Sequence, residues 1–142
     1  LGCGDGRDLY LFKKNGIPAH GVDASYEAEF IIKQDVEKYM EENEAPDNVY
    51  ARFFWHAVPP ETQQKILEWT KNMLFIEART TKDKPKNTHG AHKRWLVDTK
   101  KLARDLDDHG FEVIRFIERK GLSPYQGEDP HLVRVIAKKH VI

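Results

Sequence analysis

Cysteine is nearly absent from this sequence: Cys3 is the one thiol in 142 residues. An internal disulfide and a cysteine-based metal cluster are both excluded. Long apolar runs are missing too, and nothing approaches the ~18 apolar residues of a membrane-spanning helix. No secretory-signal pattern is visible, so the cytoplasm is the expected compartment. There is also no surplus of either charge, because 23 Lys and Arg meet 23 Asp and Glu. A general polyanion-binding surface is therefore not indicated, and no nucleic-acid partner is expected. What remains is a chain 32% charged and 39% apolar, a soluble globular composition at a length that suits one domain.

The most informative stretch is the first. Leu1-Gly2-Cys3-Gly4-Asp5-Gly6-Arg7-Asp8 places three glycines at alternate positions, between the end of an apolar strand and a helical segment. Glycine permits positive φ and lets a ligand approach without a Cβ in the way. The unpaired N–H groups of the following helix end would point into that space. Cys3 reads as a small packed residue of the loop rather than a nucleophile. Asp23 ends the next apolar segment, Ile17 to Val22. An acid at the tip of the strand after a glycine loop is where dinucleotide folds hold ribose hydroxyls. The dinucleotide fingerprint itself, G-x-G-x-x-G, is not completed. Its third glycine would fall at Arg7 counted from Gly2, or at Leu9 counted from Gly4.

Leu-Gly-Cys-Gly-Asp-Gly-Arg-Asp resembles motif I of the class I S-adenosylmethionine (SAM) dependent methyltransferases, and matching segments run to the last strand. The resemblance implies an α/β fold: a Rossmann-like three-layer sandwich whose mostly parallel sheet has an antiparallel last strand. It implies SAM as cofactor, with Gly2, Cys3, Gly4 and Gly6 around its amino-acid end and Asp23 on the ribose. Asp35 and Val36 match the position that meets the adenine edge, the alternative being a surface aspartate capping a helix from Val36 to Met40. The segment Tyr50-Ala51-Arg52-Phe53-Phe54-Trp55-His56-Ala57-Val58 is similar to one in a branch frequent in bacterial surface-polysaccharide pathways. Phe53 is a further candidate for the cofactor.

Acceptor chemistry falls on the carboxyl ends of the strands, where ligands sit in open α/β sheets. Arg52 within an aromatic strand must be paired or face a polar cavity. His56 is a candidate general base for a hydroxyl acceptor, or else an imidazole packed at the pocket edge. Arg79 stands at the end of the strand from Met73, with Glu77 beside it. The stretch from Thr80 to Arg94 carries Lys82, Lys84, Lys86, His89, His92, Lys93 and Arg94 against a single acid, Asp83. It reads as a solvated loop or as a loop that binds an anionic acceptor, with His92 and Arg94 as the candidate contacts. His89 and His92 lack a third ligand, so no metal is expected. Arg52 and His56 are thus the candidate catalytic residues, and the expected acceptor is a small molecule or glycan. The rival reading is a non-catalytic SAM-binding module of a larger assembly.

Three further expectations concern organisation. Residues 1–142 form a single methyltransferase domain. The glycine loop at the very start implies that an upstream strand precedes Leu1. Only Ala24 to Glu29 separate the second strand from Phe30-Ile31-Ile32-Lys33-Gln34, too few for the helical crossover of a parallel pair. Either residues are missing there, and again near Lys71-Asn72, or the local topology departs from the family. Later, Asp98 caps a helix from Thr99 to His109. The strands Phe111–Glu118 and His131–Lys138 have no helix between them and should pair antiparallel.

Overall fold

The computed structural model describes residues 1–83 and 94–140. The chain divides into two compact units, Leu1–Glu44 and Ala45–Ile142.

The smaller unit holds α1 (Arg7–Lys14), β1 (Gly21–Asp23), β2 (Ile31–Lys33) and α2 (Val36–Glu42). α1 runs from the glycine loop, with Asp8 in its first turn and Lys13 and Lys14 in its last, both favourable for the helix dipole. β1 is shorter than the apolar pattern suggests. Pairing begins only at Gly21, opposite Ile31, the first residue of β2. β2 begins at Ile31 because Phe30 has φ +69°, outside the β region. β1 and β2 pair in parallel, Gly21 opposite Ile31 and Asp23 opposite Lys33. This corrects the expectation that so short a connection forbids a parallel pair. Strands of three residues are only ~10 Å long, and the seven residues 24–30 can span over 20 Å when extended. α2 starts at Asp35, whose Oδ1 accepts from the N–H groups of Glu37 (3.0 Å) and Lys38 (3.3 Å).

The larger unit holds β3 (Asn48–Arg52), a 3₁₀ turn (Trp55–Ala57), α3 (Pro60–Trp69), β4 (Met73–Arg79), α4 (Thr99–Asp108), β5 (Phe111–Arg119) and β6 (Leu132–Lys139). β3 and β4 are parallel and joined through α3, an ordinary helical crossover. The three residues 70–72 suffice to enter β4, with the N–H of Met73 donating to Asp47 O at 3.0 Å. Asp98 caps α4 as expected, accepting from Lys100 and Lys101. β6 is antiparallel to both β4 and β5 and lies between them, giving the order β3-β4-β6-β5. The reversed last strand is therefore observed. The single mostly parallel sheet is not: the strands form a two-stranded and a four-stranded sheet.

Register gives each face of the larger sheet a distinct character. Val49, Ala51, Leu74, Ile76, Ala78, Val133, Val135 and Ala137 alternate onto one face, and all are buried. Ile66 and Leu67 of α3 and Leu102 and Leu106 of α4 are buried with them. The opposite face carries Arg52, Glu77 and Arg134 in one cross-strand row, with Arg79 two residues further along β4. Lys139 fastens β6 to the end of α3. Its Nζ donates to Leu67 O (2.7 Å) and Glu68 O (3.2 Å), satisfying carbonyls the helix leaves open. Lys139→Met keeps the stem and removes both bonds. It is expected to cost about 1 kcal/mol, read as a lower midpoint in thermal unfolding.

Candidate functional site

In the smaller unit the glycine loop is built by backbone conformation. Gly2, Gly4 and Gly6 have φ of +62°, +55° and +87°, all in the left-handed region. The loop is sewn to β1 by Gly2 N–H donating to Val22 O at 2.8 Å. The Asp23 carboxylate completes the turn: Oδ1 accepts from Gly4 N–H at 3.0 Å and Oδ2 from Ser25 N–H at 2.9 Å. Each oxygen accepts one of these N–H bonds, and a carboxylate has about four acceptor positions. These two bonds use two of its acceptor positions. A Cβ at Gly4 would meet nothing within 4 Å, so the loop is open there. Cys3 packs where Gly21 has no side chain, since a Cβ at Gly21 would lie 2.4 Å from Cys3 Sγ. Burial pushes the Cys3 thiol up, which keeps it protonated and agrees with a packing role.

In the larger unit the carboxyl ends of β3 and β4 gather a set of charged side chains. Glu77, 8% exposed, is flanked by its two cross-strand neighbours. Arg52 Nε donates to Glu77 Oε1 at 3.1 Å, and Arg134 Nε donates to Oε2. Ser123 joins them, its Oγ donating to Glu77 Oε1 at 3.1 Å and accepting from Arg134 at 3.1 Å. This network holds the β5–β6 connection on the sheet. Arg79 has a carboxylate on either side. Its Nη1 donates to Asp83 Oδ2 (3.0 Å) and Glu128 Oε1 (3.1 Å), and its Nη2 reaches Glu128 Oε2 (3.5 Å).

His56 lies in the 3₁₀ turn and is buried. Its Nδ1 accepts the backbone N–H of Arg79 at 3.0 Å, so the neutral ring carries its proton on Nε2. Burial, followed by the positive charges of Arg94 and Arg79, lowers its pKa from 6.5 to about 4, against a smaller opposing pull from Asp83. The Phe53 ring meets it edge-on, centroids 6.0 Å apart. Phe53 takes φ +53°, which costs a non-glycine residue about 1 kcal/mol, and its N–H donates to Glu77 O at 2.7 Å.

No protein-family model matches the chain, and comparison with curated proteins returns no match. Solved structures do match. A SAM-dependent methyltransferase from Archaeoglobus fulgidus superposes with a TM-score of 0.68 at 20% identity, over 97% of this chain and 83% of that one. The 1,6-didemethyltoxoflavin-N1-methyltransferase of Burkholderia thailandensis, crystallised with its substrate and S-adenosylhomocysteine, gives 0.72 at 18% identity over 97% and 68%. The magnesium protoporphyrin IX methyltransferase of Synechocystis, with bound SAM, gives 0.69 at 16% identity over 98% and 67%. The chain has the fold of the SAM-dependent methyltransferases.

On this methyltransferase fold the sequence-predicted residues fare differently. Gly2, Cys3, Gly4 and Gly6 form one loop, and Asp23 at the end of β1 is brought against it. Asp35 caps α2 through Oδ1, the alternative raised for it, and Val36 is buried in the first turn. Arg52, Phe53, His56 and Arg79 converge at the ends of β3 and β4. Arg52 is paired, as its place in a strand requires, and Arg79 is paired twice. His56 has the geometry of the packed imidazole rather than the base: its Nδ1 is occupied and its pKa lies far below neutrality. Arg94 is exposed, with its charge felt at His56. His92, like Lys84, Lys86, His89 and Lys93, lies outside the described residues. Among the described residues no group of His, Cys, Asp and Glu could hold a metal ion, and no helix is long and apolar enough to cross a membrane.

Sequence reasoning missed the roles of Asp83, Ser123, Glu128 and Arg134. Asp83 had a local signal, since it stands four residues after Arg79. Glu128 lies 49 residues from Arg79 and Arg134 57 from Glu77, and no local pattern marks either pairing.

Proposed function

We propose that this protein is a SAM-dependent methyltransferase that moves a methyl group to an oxygen of a phosphorylated or acidic small molecule, glycans included. The observation that carries the reading is the glycine loop, with three positive-φ glycines and Asp23 fixed by Gly4 and Ser25 N–H groups, in a chain with this fold. Residues 1–142 are read as one such domain, acting in the cytoplasm. The residues present suit SAM: an open glycine turn for its amino-acid end and a carboxylate for its ribose hydroxyls. Asp35 and Val36 would meet the adenine edge. SAM supplies an activated methyl on a sulfonium. The acceptor oxygen must then be held and aligned by the chain's own groups.

The state of His56 bears on the acceptor. A neutral hydroxyl must lose a proton as it attacks, and His56 is poorly placed to take it. An oxygen already anionic near neutral pH needs no base, only a cation to position it. A glycan that carries phosphate or carboxylate groups would be one such acceptor, in keeping with the resemblance of the segment from Tyr50 to Val58 to the surface-polysaccharide branch.

Calorimetric titration with SAM should show saturable binding at one site per chain. Methyl transfer from labelled SAM should favour sugar phosphates and carboxylates over neutral sugars. Activity confined to neutral hydrophobic acceptors would refute the acceptor class, and failure to bind SAM would refute the whole reading. His56→Asn retains an acceptor for the Arg79 N–H but cannot act as a base. It should lower kcat by less than about tenfold, where loss of a true general base costs ~10²–10⁴.

A further inference from the structure

Arg79 has two carboxylate partners that differ in kind. Asp83 is the inner one. Its side chain is 6% exposed, its Oδ2 takes Arg79 Nη1 and its Oδ1 takes the N–H of His131 at 3.3 Å. Asp83 N–H donates in turn to Thr80 O, and Thr80 is wholly buried. Asp83 is thereby fixed in the frame. Glu128 is the outer partner. Its side chain is 44% exposed, and it meets the two terminal nitrogens of the guanidinium with its two oxygens. That is the fork geometry with which arginine binds a carboxylate or phosphate.

The surroundings make Glu128 exchangeable. Only the Glu128 end of the pair is open to solvent, so a released carboxylate is rehydrated while the largely buried Arg79 keeps Asp83 as its partner. Glu128 sits at the end of a tight turn, where Tyr125 and Glu128 exchange backbone hydrogen bonds of 2.8 and 3.0 Å around Gln126 and Gly127, both at positive φ. Those bonds hold the backbone whether or not the side chain stays on Arg79. Charge points the same way. Arg94 acts electrostatically on both His56 and Glu128. With Glu128 in place, Arg79 and Arg94 are balanced by Asp83 and Glu128. With Glu128 swung out, one positive charge is left over.

We propose that Glu128 is a built-in stand-in for a ligand anion, and that a phosphate or carboxylate group replaces it on the outer side of the Arg79 guanidinium. The inference rests on the acceptor reading above for its biological meaning and names Arg79 as the group that takes the acceptor's anionic handle. The binding itself is testable without SAM or methyl transfer.

The test is titration of the whole chain with inorganic phosphate, and separately with acetate, following backbone amides of residues 77–83 and 125–131 by NMR. Glu128→Gln keeps the shape of the side chain and removes its charge. It should tighten phosphate binding about five- to tenfold relative to wild type, with shifts centred on Arg79. Glu112→Gln, on β5, removes the same charge elsewhere and should leave phosphate affinity unchanged. Arg79→Lys in the Glu128→Gln background keeps a cation for Asp83 but loses the fork, and should abolish the gain. A Glu128→Gln affinity equal to that of Glu112→Gln overturns the proposal. So does a gain that survives Arg79→Lys, or a wild type that already binds as tightly. A chain that fails to bind SAM but shows the phosphate gain would refute the methyltransferase reading and leave this site standing.

Discussion

Asp23→Ala is expected to weaken SAM binding by about 1–3 kcal/mol, roughly a five- to 150-fold rise in Kd by calorimetry. Two separate losses feed that figure. The variant removes the acceptor available to the ribose hydroxyls. It also strips Gly4 and Ser25 N–H groups of the oxygens that hold the loop in shape. Asp23→Asn should not rescue the affinity. Its carbonyl can serve Gly4, but its amide nitrogen would face the Ser25 N–H, donor against donor. Circular dichroism should show an unchanged fold in both variants. Wild-type affinity in either one would show that the loop and the acid do not form the cofactor site.

The second large effect is on acid stability. His56 is neutral when folded because burial, then Arg94 and Arg79, hold its pKa near 4, against 6.5 in an unfolded chain. Between those two values the unfolded state binds the extra proton, so stability rises with pH across the window. The contribution is fully present above pH ~6.5 and is lost as pH falls toward 4. By pH 4.5 the loss should be about 2–3 kcal/mol, a large share of the stability of an ordinary domain. Urea unfolding of wild type at pH 7 and pH 4.5 measures the total change. His56→Asn cannot titrate there and should lose less over the same interval by about that amount. Parallel losses in the two proteins would mean that His56 is not buried neutral.

Much of the fold could be read from local chemistry. The N-cap aspartate at 98, the glycine at 110 and the absence of a helical pattern between Phe116 and Val133 mark α4 and the antiparallel pair after it. The glycine loop and Asp23 were legible because their spacing is short and each residue type has one geometric use. Two features were not. The connection through residues 24–30 depends on Phe30 adopting a conformation that its side chain disfavours, and only the tertiary setting decides that. The second concerns the strand-end cations. Arg52 and Arg79 stand out in the sequence, but Glu128 and Arg134 reach this cluster only because β6 lies beside β4. A cluster of cations in a sequence therefore reads as an anion site until the fold reveals how many of its charges are already answered from within.

The pairing of β5 with β6 shifts register between Val113 and Arg115. Ile114 is the extra residue between Val113 and Arg115, and it is 56% exposed on a strand whose outer side pairs with no other described strand. A regular strand there would offer an unbroken ribbon of amide and carbonyl groups to any passing chain, guarded only by the charges of Glu112, Arg115, Glu118 and Arg119. The bulge interrupts that ribbon and twists it out of plane. Deleting Ile114 would restore simple alternation along Val113 and Arg115, and with it a flat template for stacking. The shortened protein should then form fibrillar, thioflavin-positive aggregates at concentrations where the intact chain stays dispersed. One superfluous isoleucine, exposed at the edge of a sheet, thus adds to the strand's charges in keeping neighbouring molecules from zipping together.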